Sequence, residues 1–216
     1  MLQEEGLIDY EPNRRPVVIG IDVADLDSAY ATRVLLESLT VSLTVRALGD
    51  LAIGELGKAM GTMFEHRWDH QSSPEWHDAH RSFHAGLRSG ADNGLRRQVA
   101  ALADRTSHYL KLAQFTDVSM WAEGHAGHEA VLAAARRRDA EGAARAMAVH
   151  LATTARRVAH EVDPQLRLPA VAAALGMVGA DRDPRRPGAP AEPCYSRVGR
   201  VCVSARSTGA DDAGSR

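Results

Sequence analysis

Ten histidines in a 216-residue chain that is only 5% aromatic are the first feature that bears on chemistry. His80 and His84 stand four residues apart, a spacing that puts both imidazoles on one face of a helix. Such a pair can hold a transition metal, because two ring nitrogens can converge on an ion about 2.0–2.1 Å away. His77, three residues before His80, could offer a third imidazole on that face; the bland alternative is a solvated polar face. His128 and His150 occur in the apolar stretches HEAVLAAA and ARAMAVHL, where an unpartnered imidazole is costly to bury. Each reads either as a core histidine satisfied by a carbonyl or as a further metal ligand. His150 adjoins the stripe of Met147, Leu151, Val158 and Val162, which turns it toward a core. His66, His70, His108, His125 and His160 are read as surface or supporting residues.

The elements that must position these rings are helices. Only Pro74 interrupts the long span from 17 to 163, which is rich in Ala, Leu, Arg and Glu. Asp25 or Asp27 can cap a first helix running to about Leu48, with Leu26, Tyr30, Val34, Val41, Val45 and Leu48 as one apolar stripe. Further helices are expected over about 50–68, 75–88, 93–115, 117–138 and 139–162. Asp139 caps the last of them, and Arg136, Arg137 and Arg138 suit the negative end of the fifth. Pro74 takes a first-turn position. Six antiparallel helices with short connections make an all-α bundle. Residues 1–19 read instead as a helix end followed by two short strands around a Pro-Asn-Arg-Arg turn. Residues 164–216 are rich in Pro, Gly, Arg and Ser, with only a short apolar run at 170–178, and read as a mostly disordered tail.

Composition narrows the functional classes. A formal net charge of −2 gives no overall pull toward DNA or anionic lipid, though a local patch can still supply one. No stretch reaches the roughly 18 apolar residues of a membrane span, and no signal peptide opens the chain. Two cysteines near the C-terminus, Cys194 and Cys202, cannot form a disulfide framework, so a reducing, cytoplasmic setting is expected.

Several segments, taken in order, resemble one family. LQEEGLIDYEPNRRPVVI resembles the end of a winged helix-turn-helix, and DLDSAYATRVLLESLTVSLTVRAL resembles the first helix of an FCD domain, with Arg33 and Glu37 in its Arg-x3-Glu pattern. HRSFHAGLRSGADN resembles that domain's D-x-x-F-H segment, and HEAVLAAARRRDAEGAARAMAVHL its closing H-x3-L…D…A…M-x2-H-L pattern. The chain is thus similar to GntR-family transcriptional regulators of the FadR subfamily over about 1–162. The resemblance implies an FCD effector-binding and dimerisation domain over 20–163, behind a wing remnant at 1–19.

It also implies a metal held by His80, His84, His128 and His150, a small organic acid bound with the metal's help, and a homodimer. His80 stands where the family usually has Asp. Nitrogen in place of a carboxylate makes the site more cationic and favours Zn or Ni over Mn or Mg. Arg33 suits capture of the effector's carboxylate, or else an ion pair with Glu37 on a solvated face. Arg14 and Arg15 in the wing can touch operator phosphate. With most of the reading head absent from this sequence, poor DNA binding is expected. The function so implied is a metabolite-responsive repressor. The alternative is a small helical metalloenzyme built on the same histidines, with Glu129 as the only acidic neighbour of a ligand on its helix.

Overall fold

The computed structural model of the chain describes residues 8–9, 17–18, 22–68, 73–114 and 120–181. Seven helices account for most of them: α1 (Val23–Ala47), α2 (Asp50–Glu65), α3 (Pro74–Gly86), α4 (Asn93–Gln114), α5 (Met120–Arg136), α6 (Ala140–Val162) and α7 (Pro169–Met177). Before them, β1 (Ile8–Asp9) pairs antiparallel with β2 (Val17–Val18), where the sequence suggests two short strands. The turn between, with Arg14 and Arg15, lies outside the described residues, as does the chain beyond 181. The architecture is all-α, the class read from the sequence.

α1 is the central element and packs on α4, α6 and α7, while α2 lies against α3 and α5, and α5 against α6. Its stripe Leu26, Tyr30, Val34, Val41 and Val45 is fully buried. The facing stripe of α6, with Met147, Leu151 and Val158, meets it in one continuous core. Alanines at 148, 152, 155 and 159 line the same face of α6, and such small side chains permit close approach of neighbouring helices. Val162, expected in the stripe, is 48% exposed because α6 ends there.

Caps set the helix boundaries. Asp22 caps α1 by accepting from the backbone N–H groups of Ala24 and Asp25, not Asp25 or Asp27 as the spacing suggests. Ser73 accepts from the Trp76 N–H at 3.1 Å, which starts α3 with Pro74 in its first turn. Asp139 accepts from the Gly142 N–H at the start of α6. Arg138, in the turn after α5, has φ 59, and its guanidinium reaches the Leu48 carbonyl and Asp50, tying this corner to the α1–α2 connection.

The expected tail does not begin at 164. Residues 169–177 form α7, with Val171, Ala174 and Leu175 buried against the core. The segment PAVAAALGM is so uniformly apolar that it carries no amphipathic period, and its Pro169 looks like a breaker while occupying the first turn. Its cap comes from far away in sequence. Asp27 of α1, 8% exposed, accepts from the Ala170 N–H at 3.0 Å and the Val171 N–H at 2.9 Å. A carboxylate at a helix N-terminus satisfies orphan donors and complements the helix dipole. Replacing Asp27 by Ala should therefore cost about 2 kcal/mol of stability. Chemical denaturation should register this as a lower midpoint with an unchanged m-value.

Candidate metal centre

α3 and α5 bring the histidines together. One ring nitrogen from each of His80, His84 and His128 lies within 4.8 Å of the other two. His84 Nε2 and His128 Nε2 are 3.2 Å apart. Two ligands about 2.0–2.1 Å from one ion, at right or tetrahedral angles, sit about 2.8–3.4 Å apart, so this separation fits a shared ion. His84 and His128 are buried, and His80 is half-buried. His150 of α6 is buried beside them, its ring centroid 4.2 Å from that of His128 and 5.7 Å from that of His84. The four rings thus gather at one interior point, although His150 is not among the three whose nitrogens lie so close. His77 packs edge-on against Trp76 and is not in the cluster.

The local sequence makes this proximity possible. A Cβ on Gly127 would lie 2.5 Å from His150 Nδ1, so the ring of α6 occupies the space a side chain on α5 would fill. Phe83, fully buried, stands edge-on to both His84 and His128. Trp76 lies parallel to His80, with centroids 4.9 Å apart and planes 12° from parallel.

Below the rings lies a buried charged chain. Glu37, 1% exposed, accepts from Arg33 Nε at 2.7 Å through Oε1, and its Oε2 faces His84 Nδ1 at 3.5 Å. Arg33 Nη1 donates to Thr106 Oγ1 at 2.8 Å. The Arg33–Glu37 pair is real, but it is buried and not on a solvated face. Burial works to raise the Glu37 carboxyl, and the Arg33 guanidinium, with His84 and Arg88, overrides it and holds the group ionised well below the usual range. A carboxylate behind a ligating imidazole fixes the tautomer that leaves Nε2 free for a metal.

The histidines are kept neutral. Burial, and then the neighbouring rings, push His80 and His128 well below their ordinary value. His150 is lowered to about 3 by burial and by His84. Neutral imidazoles offer lone pairs, which ligation requires. The donor set therefore fits a divalent ion that accepts nitrogen. A cavity of about 60 Å³ opens on the cluster, lined also by Arg33, Trp121, His125, Thr154 and Arg157. That volume holds a few water-sized groups, enough for an ion's open position and a small acid. Glu123, which also lines it, pairs with Arg157 at 3.3 Å. Glu129 pairs with His125 at 3.5 Å and is not among the residues that line the cavity.

Sequence reasoning missed Trp76, Thr106 and the role of Glu37 behind His84. Glu37 carried a signal, since an acid four residues after Arg33 on an otherwise apolar stripe calls for burial with a partner. Thr106 and Trp76 carried none.

The family model for the FCD domain matches residues 28–153, more than half of the chain and a span that includes all four histidines. The chain belongs to the FCD-domain family. Solved structures share the fold. McbR/YncC of E. coli is 17% identical, covering 75% of this chain and 77% of its own, with a TM-score of 0.62. Lar, which controls expression of the Listeria monocytogenes agr system, is 15% identical over 74% of this chain and 75% of its own, at 0.54. A GntR-family regulator from Pseudomonas syringae pv. tomato DC3000 is 19% identical over 76% and 68%, at 0.50. No curated protein sequence matches. Membership in the FCD family groups the chain with transcriptional regulators rather than with enzymes.

Depressed histidines set the acid stability of the metal-free protein. Each folded-state value lies below the ordinary 6.5, so each ring contributes stability that is complete above 6.5 and lost as pH falls toward the folded value, about 3 for His150. Within that window each ring costs up to about 1.4 kcal/mol per pH unit. Melting of the chelated protein between pH 7.5 and 4.5 should show a steep fall below 6.5, flattened in a His128→Asn variant.

Proposed function

We propose that this chain is the ligand-sensing part of a GntR-type, metabolite-responsive regulator. His80, His84, His128 and His150 hold a divalent metal, and Arg33 together with that metal captures a small carboxylate. The observation that carries the reading is the convergence of His80, His84 and His128 in the lining of a cavity that Arg33 also lines. An all-nitrogen set favours Zn or Ni. When bound, the ion supplies a Lewis-acid position for one carboxylate oxygen. Everything else falls to the protein. Glu37 orients His84, Thr106 and Glu37 fix the Arg33 guanidinium, and the indole of Trp121 lines the cavity.

Arg33 is held before a ligand arrives, so an incoming carboxylate meets a cation whose ordering cost is already met by folding. A change at this point reaches α1, α3, α5 and α6 together, and this gives an effector a lever on helix packing. The regulator acts as a homodimer on paired operator half-sites. Arg14 and Arg15 touch phosphate, weakly by themselves. Repression is the sense of control proposed, and the cytoplasm its place.

Metal analysis of the purified protein should find about one zinc or nickel per chain, lost in His84→Ala and in His128→Ala; a wild-type protein without stoichiometric metal would overturn the reading. Thermal shifts with two- to six-carbon mono- and dicarboxylates test the effector. At least one acid should raise the melting temperature of the metal-loaded wild type, and Arg33→Lys, which keeps the charge but loses the planar fork, should lose most of that rise.

A further inference from the structure

The parallel stack of Trp76 on His80 is unlike any other contact in the cluster. Among the described residues, the other ring pairs that involve His80 or His84 are tilted or edge-on, with interplanar angles of 32–85°. A ring nitrogen's lone pair lies in the plane of its ring, so whatever sets that plane sets where the lone pair can point. The Trp76 indole, 6% exposed, covers one face of the His80 ring at 4.9 Å. The His80 ring then lies crosswise to those of His84 and His128, at 61° and 70° and with centroids 4.7 and 5.0 Å away. Trp76 is itself fixed by the start of α3: its N–H is the one that Ser73 caps, and Pro74 stiffens the same turn. His80 is half-buried where His84 and His128 are buried, so it has the greatest freedom to turn away toward solvent.

On the metal-site reading above, we propose that Trp76 is a positioning residue for the metal, acting through His80. The indole holds the imidazole plane so that its nitrogen faces the other two ligands. It also stabilises the ring once ligation makes it partly positive, because an aromatic face attracts a cation. The effect is specific to an aromatic ligand at position 80. A carboxylate there would have no π face to stack and would be indifferent to the indole.

That specificity supplies the test, a double-mutant cycle read by Co²⁺ titration of the metal-free full chain, with the visible absorption of the cobalt centre and its dissociation constant as readouts. Loss of outer-shell partners of a ligating histidine typically weakens metal binding about 10–100-fold. Trp76→Leu should weaken Co²⁺ at least about tenfold and shift its absorption bands, while Trp76→Phe restores most of both. In a His80→Asp background, Trp76→Leu should change the constant less than about threefold. Equal losses in the two backgrounds would reduce Trp76 to a cavity wall and overturn the proposal while leaving the metal site intact. Circular dichroism and melting of each variant separate a folding defect from a binding one. A wild-type protein that binds no Co²⁺ would overturn the metal site itself, and this proposal with it.

Discussion

An ionised carboxylate with almost no access to water is the constraint around which this bundle is arranged. Glu37 lies in the middle of the central helix, where an unpaired charge would cost several kcal/mol. Its partners are Arg33, one turn earlier on the same helix, and His84, which comes from α3. Arg33 in turn needs Thr106 of α4. Satisfying one acid thus specifies how three helices meet. Buried ion pairs contribute little net stability when compared with apolar packing, but removing one partner is expensive. Their value here is registry. With Glu37 ionised and His84 turned to face it, the Nε2 edge of His84 is directed at His128, and the site's geometry follows from the need to satisfy a charge.

Much of this was legible in the sequence because helices advertise themselves twice, through period and through caps. The stripe from Leu26 to Val45 named the buried face of α1, and Ser73, Pro74 and Asp139 marked helix starts within a residue or two. What failed did so for a common reason. α7 has no polar face, so periodicity could not find it. Its cap, Asp27, lies more than 140 residues away in the chain and reads locally as the cap of a different helix.

The cluster divides in the same way. His80 and His84 share a helix, and their spacing alone puts them on one face. That His128 would meet them depended on α3 and α5, which both pack on α2, bringing their rings together, which no local signal encodes; the resemblance to the FCD family supplied it. The stack of Trp76 on His80 was illegible for a subtler reason. Residues four apart on a helix are neighbours, but whether two such rings lie parallel or edge-on is decided by what fills the other side, here His84 and His128.

Gly127 carries a mechanical implication. Because no side chain separates the α5 backbone from the His150 ring, that ring has no slack on the α5 side. A displacement of the imidazole toward α5 would meet helix backbone and not a side chain able to change rotamer. A bundle normally absorbs small disturbances by rotamer changes; at this crossing the intervening side chain is missing, and the ring of α6 is left as the layer between the two helices.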